Sequence, residues 1–432
     1  MALVLPIGLL TCGAIILSVL LFPRLKIGQK SIDTYWLVAV IGAALMLAFG
    51  GIDRVRLLEG IVSDSAINPL KILTLFLSMT ALSIFLDEVG FFRYAASKAL
   101  RHAGKGQMRI FAVLYLTVSV LTVFTSNDII VLTFTPFICY FCRNAGIRPL
   151  PYLVAEFIAA NTMSMTLIIG NPTNIYIATS AGVDFLGYIQ TMILPTLAAS
   201  AVAFLMLWAI FRSSLKEKGQ VQIEKVGIDN RGLLVIGIVH LLLSTLLLAV
   251  GPYFGIEMWF VSLVFVFSLV ACVSLDEARH HHLPRIIGRT LKRLPWQLVP
   301  FVLSMFVIVG AFSQSGLTSG ISDALGTENT VWRYGLASFL SANIINNIPM
   351  SVLFCSVMEP LSANLDKAVY ATVIGSNLGA YLTPIGALAG IMWCSLLKDQ
   401  GVRLDFIHFA RYGVMVSLPT ILSALLVLDL VL

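Results

Sequence analysis

The sequence predicts an all-α polytopic membrane protein: about ten transmembrane helices plus two re-entrant hairpins, in a five-plus-five inverted repeat with two broken helices. Three observations carry this reading. The 432 residues are 58% hydrophobic and 12% charged, with a mean hydropathy of +0.94; a soluble domain carries about twice that charge, so most of the chain must face lipid or other embedded helices. Apolar stretches of membrane-crossing length alternate with short basic loops. Two stretches, Asn161 to Asn174 and Asn377 to Gly386, resemble each other and interrupt long apolar segments with Gly, Pro, amides and hydroxyls. Asn161 precedes Gly170 by nine residues, as Asn377 precedes Gly386.

Taken in order, the first span covers about 2–22 and has no basic residues ahead of it, so it reads as a span and not a cleaved signal. Arg24, Lys26 and Lys30 follow it, then a span at about 34–52. A mixed-charge loop (Asp53, Arg54, Arg56, Glu59, Asp64) leads to a span at about 69–86. Asp87-Glu88-Val89-Gly90 then opens an amphipathic stretch with Arg93, Lys98, Arg101, His102 and Lys105, too short and charged to cross and suited to the interface. A hairpin at 107–143 turns at Thr125-Ser126-Asn127-Asp128, a broken helix covers 151–182, and a span at about 186–211 closes the first repeat, residues 1–212. A linker at 213–231 carries Arg212, Lys216, Lys218, Lys225 and Arg231 at or near it.

The second repeat, 232–432, follows the same plan. Spans at about 232–250 and 256–274 precede a basic loop with Arg279, Arg285, Arg289, Lys292 and Arg293. A span at about 296–314 and a short polar stretch at 315–330 lead to a hairpin at 331–362, tipped at Asn343 to Pro349. A broken helix at 367–396 and a last span at about 409–431 complete it. With ten spans and two hairpins, every basic loop falls on one side. The positive-inside rule makes that side the cytoplasm and puts the N-terminus outside, in a bacterial-type plasma (inner) membrane. An odd number of spans per repeat forces inverted topology, the arrangement of alternating-access carriers; eleven or twelve spans remain the alternative count.

A helix broken at membrane depth leaves backbone groups that hydrocarbon cannot satisfy, so each break must line a cavity or a ligand. Paired breaks therefore point to a transporter's binding site. The candidate substrate-binding residues are Ser126, Asn127, Asn161, Asn171, Thr173, Asn174, Asn346, Asn347, Ser376, Asn377 and Thr383, with Ser164 and Asn343 beside them. They offer neutral donors and acceptors, and helix starts at the tips add unpaired N–H groups. Some of them have a second reading as caps of broken helices. Pro172 and Pro384 suit the first turn of each second half-helix, where no N–H is needed. The 216-residue offset pairs Asn127 with Asn343, whereas a four-residue shift pairs it with Asn347, and spacing leaves both open.

Asp128 is the candidate ion-coupling residue, because an ionisable group at mid-membrane is functional by default. It would carry a proton or sodium; its second reading is an N-cap. Glu156 reads equally as a coupling residue or as a solvated one near the cytoplasmic end. His240 reads as a satisfied buried histidine before a proton relay. His280, His281 and His282 read as a solvated loop. Cys139 and Cys142 share a helical face, which suits packing or, less directly, a soft metal; no metal site is assigned.

The absence of Lys and Arg from the breaks and tips bears on substrate charge. A multiply charged anion would lack an ion-pair partner, whereas a neutral polyhydroxyl solute such as undissociated arsenous acid needs only amides and hydroxyls. No P-loop, H-E-x-x-H or G-x-S-x-G occurs, so neither an enzyme nor an ATP-driven pump is indicated. Ion gradients would drive transport unless a separate ATPase subunit does. The basic residues sit in short loops, which excludes a nucleic-acid reading, and no cofactor is implied.

Several further stretches fit one family: Asp87 to Phe92, Ser126-Asn127-Asp128, Leu294 to Gln297, Ser315 to Thr318, Asn346 to Pro349 and Thr383 to Leu388. Over nearly its whole length the chain resembles the ArsB-type arsenite/antimonite permeases of the ion transporter superfamily, which also holds sodium/proton antiporters and sodium-coupled anion symporters. The resemblance implies ten spans with two re-entrant hairpins, and places the family's tip motifs on Asn127-Asp128 and Asn346-Asn347. It implies arsenite or antimonite export in exchange for protons. Asn161 and Asn377 stand where such permeases carry aspartates, a departure that touches proton coupling and not the fold. Gly170 to Asn174 is closer to the broader permeases of the superfamily.

Overall fold

The structure, a computed structural model, describes residues 3–22, 24–27, 30–49, 53–62, 68–104, 106–216, 226–279, 285–361 and 364–432. The expectations placed on Asp64, Lys105, Lys218, Lys225 and His280 to His282, and part of the 213–231 linker, lie outside the described residues.

Four long helices start on a side chain that satisfies their free N–H groups, a role for which Asn and Asp are the preferred residues. Asn68 accepts from Leu70 and Lys71 ahead of Pro69–Glu88, Asp184 caps Phe185–Phe211, Asn230 caps Arg231–Val250 and Asp405 caps Phe406–Val431. These four, the helix from Met258 and the segment Ile286–Gln314 are long and apolar enough to cross a membrane. Val4–Ser18 and Tyr35–Phe49 are apolar but shorter. The long helices expose apolar side chains such as Leu242, Leu246, Phe267 and Leu422, as helices bathed in lipid do. The chain is an integral membrane protein of many apolar helices.

The all-α expectation needs one addition. Arg24–Ile27 and Lys30–Asp33 pair as a small antiparallel ribbon between the first two spans. Four connections also hold short α-helices among the described residues: Arg54–Val62, Phe91–Ala103, Arg285–Arg293 and Leu317–Leu325. Of these, the second follows the Asp87-Glu88-Val89-Gly90 stretch. Asp87 and Glu88 do not open Phe91–Ala103. They end the helix Pro69–Glu88, where Arg293 donates to both, at 2.7 Å and 2.6 Å.

The elements that carry the site come in two sets. Gln107–Val123 and Asn127–Ala145 form the first hairpin, followed by the half-helices Leu150–Met163 and Pro172–Ser180. Thr330–Ile345 and Asn347–Met358 form the second, followed by Leu365–Gly379 and Leu388–Asp399. Each first half-helix packs on both arms of its own hairpin. Each second half-helix packs on the far arm of the other one: Pro172–Ser180 on Asn347–Met358, and Leu388–Asp399 on Asn127–Ala145. The closing helices Phe185–Phe211 and Phe406–Val431 pack on each other. All residues from Pro151 to Asn171 and from Ala368 to Tyr381 are buried, as irregular backbone at membrane depth requires.

Candidate functional site

The first break is a short run of 3-10 turns, Ser164–Thr166 and Ile168–Gly170. Asn171 is extended and its side chain accepts from Thr173 N, so it caps the half-helix that Pro172 begins. At the second break the chain turns from Ala380 to Ala387, and the helix restarts at Leu388 with no side-chain cap. Pro384 therefore does not sit in the first turn of the second half-helix. It lies inside the turn, because Asn343 Oδ1 pins Thr383 through both its N–H (3.1 Å) and its hydroxyl (2.7 Å), and the helix can restart only beyond that anchor.

The repeated glycines have a geometric cause. A Cβ on Gly170 would collide with the carbonyl oxygen of Ser164, and one on Gly386 with that of Gly379. In each break the returning chain presses against the end of the first half-helix, where only glycine fits.

The two breaks meet at Asn377. Its Oδ1 accepts from Ser164 Oγ (2.9 Å) and Asn171 Nδ2 (3.0 Å), and its Nδ2 donates to Asn174 Oδ1 (2.6 Å) and to Val373 O (2.8 Å). Asn174 in turn donates to the carbonyls of Ser164 (2.8 Å) and Leu167 (3.3 Å), taking up oxygens that the 3-10 turns leave free. Asn161 donates to Phe157 O (2.8 Å), the same bond to the preceding turn that Asn377 makes to Val373. Its Oδ1 accepts from Asn127 Nδ2 at 3.0 Å, tying the first hairpin tip to the first break.

The second tip is tied differently. Asn346, with φ of 72°, accepts from Ile348 N and donates to Ile385 O, and Asn347 N donates to Gly386 O at 3.0 Å. Asn127 and Asn347 each open the second arm of a hairpin directly after a capping residue, Ser126 or Asn346. This geometry supports the four-residue shift; Asn343 lies in the arm before the tip.

Of the residues singled out in the sequence, Asn127, Asn161, Asn171, Asn174 and Asn377 join one hydrogen-bonded chain through Ser164. Thr383 and Asn346 are occupied within their own half. Thr173 Oγ1, Ser376 Oγ, Asn127 Oδ1 and Asn347 Oδ1 are buried without a hydrogen-bond partner among the described residues. Buried polar atoms without partners are costly and mark places where a solute's own polar atoms would be welcome. Asp128 is half-buried; its carboxylate takes no hydrogen bond among the described residues and lies within electrostatic range of Tyr35.

Sequence reasoning missed the Thr162 to Tyr381 hydroxyl bridge (3.3 Å), a second link between the breaks. A tyrosine within the second break was the available signal. His240 is satisfied by Ile236 O (2.8 Å) and Ser268 Oγ (3.1 Å). Cys139 and Cys142 are buried free thiols. Among the described residues no group of three or more His, Cys, Asp or Glu is placed to hold a metal.

Cavities lie at the outer ends of both second half-helices. One of about 330 Å3 touches Lys71, Thr179, Asp184 and Glu257. One of about 810 Å3 runs from Lys398 and Arg403 past Cys394 and Ser395 to Pro384, inside the second break.

Paired helix breaks joined by neutral amides, buried within apolar membrane helices, define a membrane transporter of a small molecule or ion. The chain belongs to the CitMHS, or citrate transporter, family, whose family model matches residues 33–331. It is 29% identical over 371 residues to an arsenical pump membrane protein of Escherichia coli (strain K12), covering 82% of this chain and 85% of that protein. A 46 kDa membrane protein of Mycobacterium leprae is 24% identical, covering 82% and 84%. The solved YdaH transporter of Alcanivorax borkumensis shares the fold, with a TM-score of 0.59 at 13% identity over 99% of this chain and 97% of that one.

Proposed function

We propose that the protein is a secondary active exporter of arsenite and antimonite, exchanging them for protons by alternating access. The observation that carries the reading is the Asn377 crossing: amides and hydroxyls from both breaks with no Lys or Arg in either break or hairpin tip. Undissociated arsenous acid is neutral and presents three hydroxyls, each a donor and an acceptor, which such a set can bind without an ion pair. Relatives named as arsenical pump membrane proteins support the same substrate. The reciprocal packing of the second half-helices supports a five-plus-five inverted repeat with re-entrant hairpins. In this reading the basic loops are cytoplasmic, the N-terminus is outside, and the bacterial inner membrane is the host bilayer. Asp128 is the coupling residue, and a separate ATPase subunit is not needed.

Expression in an arsenite-sensitive host tests the proposal. Resistance is expected, with arsenite uptake into everted vesicles that collapses on adding a protonophore. Unchanged resistance and no uptake would reject it. The family's description as citrate transporters favours one second reading, sodium-coupled carboxylate transport. Sodium-dependent thermal stabilisation together with citrate uptake would select it.

A further inference from the structure

Among the described residues, Glu156 is the only Asp, Glu, Lys or Arg that is buried, and its exposure is 0%. One of its two sequence readings, a solvated residue near the membrane surface, does not hold. It lies on Leu150–Met163, five residues before Asn161, a separation that at about 100° per residue sets the two side chains on different sides of the helix, and its contacts come from two other elements. From the hairpin arm Asn127–Ala145, Thr135 Oγ1 donates to its two carboxyl oxygens at 3.2 and 3.3 Å. From the second half-helix of the other break, the Trp393 indole N–H approaches the same carboxyl outside strict hydrogen-bond geometry. The Trp393 ring stacks on Phe157 at 4.6 Å.

No cation offsets this acid: it makes no ion pair among the described residues. The titratable groups around it are Cys139 on the hairpin arm and Tyr152 on its own helix. The Tyr152 hydroxyl donates to Gln107 Oε1 at 3.0 Å. Arg143, beyond Cys139, is exposed and donates to Gln400 O. A carboxylate in such a place would be an uncompensated charge, whereas a carboxylic acid is tolerated. The half-helix that carries Trp393 presents Cys394 and Ser395 to the 810 Å3 cavity, so one helix separates the acid from a cavity that opens toward Lys398 and Arg403.

We propose that Glu156 is a proton-carrying residue, held neutral at the junction of the two halves and separate from the amide crossing. It gives its proton to water in the large cavity when the half-helix Leu388–Asp399 moves away, and takes the next one in the state that opens the opposite side. This extends the proton-coupled reading above and adds a second acid to Asp128.

The test uses the purified full-length protein in lipid nanodiscs and infrared spectroscopy of the carboxylic C=O stretch, with Glu156→Gln and Thr135→Val. The expected result is a protonated-carboxyl band at neutral pH that is absent from Glu156→Gln and moves to higher frequency in Thr135→Val, which lacks the donor. Glu156→Gln should also flatten the pH dependence of transport in vesicles. Identical spectra for the wild type and Glu156→Gln, or an unchanged pH profile, would overturn the proposal. Should Glu156→Gln fail to fold, the Thr135→Val band decides: no shift rejects it. The infrared result involves no substrate, so wild-type failure to move arsenite rejects that substrate and leaves the Glu156 result standing.

Discussion

The side-chain amide of Asn377 donates to Asn174 Oδ1 at 2.6 Å, joining residues 203 positions apart in the sequence. The same side chain accepts from Ser164 and Asn171. It ties the two breaks together, and the first predictions concern it.

Asn377→Ala strands the buried groups of Asn174, Asn171 and Ser164. Leaving buried polar groups unpaired costs about 1–3 kcal/mol apiece. A clear drop in melting temperature in detergent or nanodiscs is expected, with loss of transport. Asn377→Asp keeps the acceptor and loses the donor to Asn174 and Val373, so it should fare no better than alanine. Wild-type stability in both variants would refute the role given to the crossing.

Gly170→Ala and Gly386→Ala each push a methyl group into a backbone carbonyl, which cannot swing aside as a side chain can. Overpacking of this kind costs about 1–3 kcal/mol. Both variants should melt earlier than Gly288→Ala, where a Cβ meets nothing within 4 Å. Equal melting of all three would contradict the close approach.

Asp128→Asn removes no side-chain hydrogen bond among the described residues, so stability should change by less than about 1 kcal/mol. Transport driven by a pH gradient should nevertheless fall at least tenfold in vesicles. A variant that folds and exchanges protons normally would remove Asp128 from the coupling role.

Arg293→Gln leaves Asp87 and Glu88, both largely shielded, with Arg289 on Glu88 alone. Because Arg293 itself is partly exposed, a loss of about 1 kcal/mol is expected, shrinking as salt is raised. Melting curves of the variant and wild type at low and high ionic strength provide the check. A difference that grows with salt would speak against the ion pair.

The apolar helices and both breaks were legible because their signals are local. Spans announce themselves by composition, and Gly170 and Gly386 by the backbone approach they permit. Asn127 and Asn161 could be named as candidate site residues, but their mutual hydrogen bond could not be read, since it depends on how a hairpin tip docks 34 residues away. Pro384 misled because prolines favour a helix start, and nothing local reveals that Asn343 holds the preceding residue in a turn. The surroundings of Glu156 were hidden for the same reason. Thr135 and Trp393 come from different halves, so only packing brings them to one carboxyl.

The large cavity reaches Pro384 from the Lys398 and Arg403 side, while the smaller one stops at Thr179, about two turns short of Pro172. Between these two cavities the protein is therefore lopsided: one opens onto the second break, whereas the other ends short of the first. A reagent that modifies thiols and cannot cross lipid should find Cys394 from that open side alone, whereas Cys355, buried against Ser180 on the far side, should stay silent.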